Sequence, residues 1–326
     1  MNKKRSLLAS MLIAMTALVP LGAHAQAENY PERPITMIVP FPPGGPTDLV
    51  ARVLARQLSD QMGQSVIVDN KGGANGTIGM QAAASAKPDG YTILYNTSSI
   101  ALAPNLFSNL NFDSEKDFTA ISSTAVVPMV VLVHPSVPAN NVQEFIDYAK
   151  KNPGKLSYAS AGNGNVTHLT AFLFTQSADI DAVHVPYRGS APGMTDLVGG
   201  QVHFMTNTLN DSLPFVREGR VKALAITSAK RSELLPDVPT LAESVMPDFE
   251  SGAWQGVVAP AGTPPAIIDR LNQEIRKALK SDLVREQLAK QGTQILGNSP
   301  EEYQKYISDE IVRWGEVIRA AGVTVN

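Results

Sequence analysis

Two glycine-bearing loops hold most of the chemistry this sequence offers. Pro40-Phe41-Pro42-Pro43-Gly44-Gly45-Pro46-Thr47-Asp48 follows an apolar strand, Ile35–Val39, and opens an amphipathic helix. The first amides of a helix lack intrahelical acceptors and sit at the positive end of its dipole. Such a loop therefore holds an anion without any charged side chain. Gly44 and Gly45 admit close backbone approach, and a side chain at Gly45 is expected to block it. The second loop, Ser160-Ala161-Gly162-Asn163-Gly164-Asn165, repeats the design in the other half of the chain. One anion-holding loop per half points to a protein that closes on an acidic solute.

Other chemistries find less support. Gly72-Gly73-Ala74-Asn75-Gly76 lacks the Gly-Lys-Ser/Thr ending of a nucleotide P-loop and reads as a structural connection. Gly162-x-Gly164 lacks the third glycine of a dinucleotide fingerprint, so no cofactor is expected. With no cysteine, disulfides, thiol catalysis and Cys metal sites are excluded. His134, His168, His184 and His203 show no metal-ligand spacing, and no metal is expected. His184 and His203 fall in strand patterns as packed side chains, and His168 reads as structural beside Thr167. Ser160 lies in no Gly-x-Ser-x-Gly elbow, so no catalytic residue is assigned.

The elements that position these loops follow from periodicity. Residues 47–62 place Leu49, Val50, Val53, Leu54 and Leu58 on one helical face, and Gly63 ends that helix. Strands at 66–69 and 91–95 flank a helix at 77–86 that stops before Pro88. The alternation implies βαβ units and a largely parallel sheet. The pattern restarts after residue 129, with a helix at 142–151, strands at 156–160, 183–186, 202–207 and 223–227, and a helix from 167 to 177. Pro192 fits the first turn of a short helix capped by Ser190. The C-terminal part is helical, with Ser299 and Glu302 forming a capping box. Residues 130–133 and 254–258 read as paired crossovers that form a hinge, and a cleft between hinged lobes is where a ligand sits.

Composition narrows the function classes. Lys3, Lys4 and Arg5, the apolar run at 7–19 and Ala23-His24-Ala25 form a cleavable signal peptide over residues 1–25. The expected location is the periplasm, without a lipid anchor. The full chain carries a net charge of −3, and losing the basic leader makes it more acidic. A chain with 17% charged residues and no basic run is a poor partner for nucleic acid.

Seven segments then carry a resemblance. They are Tyr30-Pro31-x-Arg33-Pro34-Ile35, Val39-Pro40-Phe41-x-x-Gly44-Gly45-x-x-Asp48, Lys87-Pro88-Asp89-Gly90-Tyr91-Thr92 and Tyr158-Ala159-Ser160-x-Gly162-x-Gly164. His184-Val185-Pro186-Tyr187-Arg188-Gly189, Asp196-Leu197-x-Gly199-Gly200-Gln201-Val202 and Leu235-Pro236-Asp237-Val238-Pro239-Thr240 complete the set. In this order they closely resemble the Bug family, periplasmic solute-binding receptors of tripartite tricarboxylate transporters.

The resemblance implies a two-lobed α/β fold of the type II periplasmic-binding-protein kind, with two crossover strands as the hinge. Lobe 1 would comprise 26–129 and 254–326, with the C-terminal helices packed on it, and lobe 2 would comprise 130–253. It implies a monomeric, non-enzymatic receptor that gives a small carboxylate to membrane permease subunits. The matching ligand positions are Phe41, Gly44, Gly45, Pro46 and Thr47 in the first loop, and Asn96, Thr97 and Ser98 after the third strand. In lobe 2 they are Ala161, Gly162, Asn163, Thr167 and Asn207. Many members have Asp at 207; Asn offers donors as well as an acceptor, which favours a dicarboxylate, aromatic ones such as a phthalate isomer included. Arg188 would pair with a carboxylate on reaching the cleft, or else serve a surface or interlobe ion pair. A periplasmic enzyme acting on a carboxylate, and a ligand-presenting partner of a sensor, remain the alternatives.

Overall fold

The computed structural model describes residues 29–325, so the signal peptide lies outside the described residues. The order of elements is two rounds of the same theme. In the first, β1 (Ile35–Val39), α1 (Pro46–Met62), β2 (Val66–Asn70), α2 (Thr77–Ala84), β3 (Thr92–Thr97) and α3 (Ser99–Leu106) follow one another. A long strand, β4 (Phe118–Val133), leads out of it. After α4 (Val142–Lys150) comes the second round: β5 (Leu156–Ser160), α5 (Val166–Ser177), β6 (Ala182–Pro186), α6 (Ser190–Val198), β7 (Phe204–Thr208) and α7 (Leu209–Arg217). Then β8 (Lys222–Ile226), α8 (Leu241–Ser244) and β9 (Gly252–Pro260) return the chain to α9 (Pro265–Leu279), α10 (Asp282–Ala289), β10 (Gln294–Ile295) and α11 (Pro300–Ala321).

Strand order makes the likeness of the two rounds plain. The sheet runs β2-β1-β3-β9-β4-β7-β5-β6. The first three strands stand in the order second, first, third, and β6, β5 and β7 repeat it. Within each set of three the strands are parallel, as βαβ connections require. Two related α/β halves were expected from the restart of the pattern, and the topology has them.

The halves are joined through β4, which pairs with β9 from Phe118 to Pro128 and with β7 and β8 beyond. Val130–Val133 therefore pairs with strands of the second half, while Trp254 lies opposite Val126 in the first. The two segments read as paired crossovers do not pair with each other. The second crossing is made at Ser251, whose amide donates to the Thr227 carbonyl (3.0 Å) just before β9 begins. Thr227 ties both crossings together: its Oγ1 accepts from the Met129 amide (3.0 Å) and donates to the Ser251 carbonyl (2.6 Å).

Two apolar clusters fill each half. In the first half α1 and α9 cover one face of the sheet with Val50, Leu54, Leu58, Leu271 and Ile275, all buried. The other face is covered by α11, whose capping box of Ser299 and Glu302 forms as expected. Glu310 of α11, 5% exposed, accepts from the Trp254 indole (2.9 Å) and the Trp314 indole (2.8 Å), and Arg313 also donates to it (2.9 Å).

Candidate functional site

The C-terminal ends of two sets of three parallel strands face each other across one cavity of about 340 Å³. Each strand end passes into a loop that opens a helix or helical turn, as in open α/β sheets generally. Phe41, Pro46 and Thr47 come from the β1 loop, Gly73, Asn75 and Gly76 from the β2 loop, and Ser98 and Ser99 from the β3 loop. Opposite them stand Ala161, Asn165 and Thr167 after β5, Gly189 and Ser190 after β6, and Asn207, Thr208 and Asp211 after β7. Val127, Ala253 and Gln255 of the crossing strands close the base.

The electrostatics follow from that convergence. Each helix N-terminus carries roughly half a positive charge on its unpaired amides. The amides of Thr47 and Asp48 at α1, and of Ser190 at α6, have no partner among the described residues. Among the described residues, no Lys, Arg or His lines the cavity. Positive potential here comes from backbone dipoles fixed by the fold, which need no reorganisation to meet an anion.

Side chains complete the wall. Asn207 is 1% exposed, and its Nδ2 and Oδ1 both lack a protein partner. A buried amide with neither group satisfied costs a few kcal/mol, so it is a position kept for something other than stability. Gln255 is oriented by a relay in which the Tyr95 hydroxyl bonds Thr124 Oγ1 (3.0 Å) and donates to Gln255 Oε1 (2.8 Å). That leaves the Gln255 Nε2 donors free to face the cavity.

Beneath the first loop, buried Asp48 accepts from the Gly44 amide (2.8 Å), Arg52 (2.9 Å) and Asn70 (2.8 Å). Burial works to raise its pKa, but these three donors outweigh it and hold the carboxyl below its ordinary range. Asp48 thus shapes the loop from behind. Gly44 takes a φ of +85°, which favours glycine.

The sequence-based site is only partly the cavity wall. Phe41, Pro46, Thr47, Thr97, Ser98, Ala161, Thr167 and Asn207 line it. Gly44 faces an adjoining groove shared with Leu49, Asn210 and Arg217. Gly45 and Gly162 belong to the loops without reaching the wall, and Asn163 is exposed. Gly45 has a φ of −80°, and a Cβ there meets nothing closer than the Pro42 carbonyl at 3.8 Å. The fold itself therefore has room for a side chain at this position. Asn96 is turned by the strand pleat to the opposite face, where its Oδ1 accepts from the Tyr303 hydroxyl (3.1 Å). Arg188 is exposed and off the wall.

The second loop differs most from expectation. Most of its amides are occupied internally: Ala161 donates to Thr167 Oγ1 (2.8 Å), Gly162 to Ser160 Oγ (3.2 Å), Gly164 to His168 Nδ1 (3.1 Å) and Thr167 to Asn165 Oδ1 (3.0 Å), while those of Asn163 and Val166 have no partner among the described residues. The loop is stiffened by its own side chains and offers the cavity side-chain groups of Asn165 and Thr167. Conversely the Gly72–Gly76 stretch, read as a connection, reaches the wall with Gly73, Asn75 and Gly76. Ser190 does not cap α6, which starts after Gly189; its hydroxyl donates to Asp211 Oδ2 (2.8 Å). Asp211 and Gln255 gave no signal in the sequence, because each sits alone among residues distant from the loops.

Under the second loop, His168 and His184 stack with centroids 3.7 Å apart and planes within 3°. Ser160 Oγ lies 2.7 Å from His184 Nε2, yet Ser160 is fully buried and off the cavity wall. Burial lowers the His184 pKa to about 4. Burial, with the charge of His184 adding to it, lowers that of His168 to about 3. The pair is a neutral structural element beneath the site.

Known proteins agree with this architecture. Residues 50–323 match the family described as the tripartite tricarboxylate transporter family receptor, TctC. Protein BugT of Bordetella pertussis (strain Tohama I) is 40% identical over 328 residues, covering 100% of both chains. A solved R. palustris protein with adipate superposes with a TM-score of 0.81 at 36% identity, covering 90% of this chain and 99% of its own. MatC of Rhodopseudomonas palustris with bound malate does so with a TM-score of 0.77 at 34% identity, covering 89% of this chain and 100% of its own. With the paired βαβ halves and the dipole-lined cavity between them, these matches place the chain in the Bug/TctC family of tripartite tricarboxylate transporter receptors.

Proposed function

We propose that this chain is a periplasmic receptor that captures a small carboxylate, preferentially a dicarboxylate, and delivers it to a tripartite tricarboxylate transporter permease. Residues 1–25 act as its signal peptide, and the mature protein works as a monomer without enzymatic activity. The observation that carries the reading is the convergence of helix N-termini on a cavity that no basic side chain lines among the described residues. Adipate and malate in the solved relatives favour a diacid. Phe41 on the wall supplies an aromatic surface on which a phthalate ring would lie.

Residues 26–129 with 254–326, and 130–253, act as lobes about the β4 and Ser251 crossings. Closure excludes water and strengthens each charge–dipole contact. Ligand binds the closed form preferentially and populates it, and the permease reads that form.

The test is a thermal-shift screen against aliphatic dicarboxylates, tricarboxylates, amino acids, nicotinate and phthalate isomers. A ligand at about 100 times its Kd adds roughly 2.7 kcal/mol, a shift of several degrees. Asn207→Leu, which removes two unsatisfied polar atoms at similar volume, keeps or gains apo stability and loses the ligand shift. Silence across the panel sinks the receptor reading, and an undiminished shift in Asn207→Leu removes residue 207 from the contact shell.

A further inference from the structure

Among the described residues, Asp211 is the one charged side chain on the cavity wall. It stands in the first turn of α7, where the helix dipole favours a carboxylate. Its Oδ2 accepts from Ser190 Oγ (2.8 Å), while no side-chain donor among the described residues reaches Oδ1. No Lys, Arg or His among the described residues forms an ion pair with it. Beside it are the unpartnered Asn207 carboxamide and the unpartnered Thr208 hydroxyl. The free amides of Thr47 and Asp48 belong to the other half. The cavity is therefore bipolar: free amides of the first half face a carboxylate on the second, beside which the Ser190 amide is a helix-start donor.

We infer that Asp211, held in place by Ser190, sets ligand specificity by favouring carboxylates that carry a hydroxyl or ammonium group over unsubstituted diacids. The inference rests on the carboxylate-receptor reading. A hydroxyl or ammonium on the ligand gives Oδ1 the donor the protein does not supply. A second ligand carboxylate directed to the same place meets a like charge in an enclosed space, and repulsion of the wrong ligand is as much a source of specificity as attraction of the right one. An unsubstituted diacid that turns its second carboxylate elsewhere leaves Oδ1 of half-buried Asp211 without a ligand donor and gains nothing from it. A purely structural Asp211, serving the α7 dipole and the α6–α7 link, would affect stability but leave the ratio between matched ligands alone.

Isothermal titration of the purified protein with matched probes tests this. The probes are succinate against malate and aspartate, adipate against 2-aminoadipate, and phthalate against 4-hydroxyphthalate. In at least one series the substituted member binds about tenfold tighter or better. Asp211→Asn, which keeps the size and an acceptor for Ser190, brings that ratio close to one by tightening the unsubstituted diacid. Asp211→Ser is read in its place if melting shows that the Asn variant is not folded. Equal affinities in every series that binds, or a preference that survives both substitutions, overturn the role of Asp211 and leave the receptor reading standing. No binding by any carboxylate overturns both.

Discussion

At the scale of single residues, the site is organised by who occupies each backbone amide. Thr167, Asn165, His168 and Ser160 take four amides of the second loop, whereas α1 keeps the amides of Thr47 and Asp48 free. The His168–His184 stack shows how this rigidity depends on protonation, since His168 Nδ1 accepts the Gly164 amide only when unprotonated. Both rings are less basic folded than unfolded, at about 3 and about 4 against an ordinary 6.5. The unfolded chain therefore takes up protons first as the pH falls through about 6.5, and stability declines from there until the folded rings also charge near pH 3 to 4. Urea midpoints measured near pH 7 and near pH 5 should show that loss in the wild type. It should be smaller in a His168→Gln/His184→Gln double variant, where Gln at 168 still offers an acceptor to Gly164. Equal slopes in the two proteins would move the acid sensitivity elsewhere.

At the scale of elements, helices α3 and α7 explain how a site is built from pieces that local rules conceal. Each contains an internal proline, Pro104 and Pro214, and a sequence rule that ends helices at proline hides both. They persist because their apolar sides are buried: Ile100, Ala101 and Leu102 in one, Leu209 and Leu213 in the other. Their N-termini supply Ser99 and Asp211 to the cavity. The first half of β4 was equally hidden, since Ser122, Ser123 and Thr124 interrupt its apolar run while bonding to partners distant in sequence, half-buried Asn298 and buried Tyr95. The fixing of α11 against β9 is the strongest element-level contact to test. Glu310→Ala strands two indole N–H groups and Arg313, and should cost about 3 kcal/mol in urea unfolding. A loss below roughly 0.5 kcal/mol, the range of an ordinary surface change, would show that Glu310 does not hold the helix.

At the scale of the whole molecule, β4 and the Ser251 crossing make two connections between the halves, and Thr227 bonds to both. Two crossings restrict relative motion largely to a hinge, so ligand should act by changing the population of open and closed forms. Small-angle scattering of the purified protein should give a smaller radius of gyration when a carboxylate hit from the thermal screen is added at saturation. An unchanged radius with full binding would mean a preformed cavity and no hinge closure.

The sequence by itself determined two glycine-bearing loops that open helices, the β1–α1 and β5–α5 units, the capping box at Ser299, and the family, because these depend on residues adjacent along the chain. The tertiary structure alone decided that six loops meet, since the antiparallel pairing of β4 with β9 and β7 turns the strand ends of one half toward those of the other. It decided that Asn96 turns away while Asn207 faces inward, because the pleat and the covering helix assign each side chain its face. It also left the Thr47 and Asp48 amides free while occupying that of Gly44 and most of those of the second loop. Glycine content announces the shape of a loop, but which amides remain available depends on where neighbouring side chains fold back.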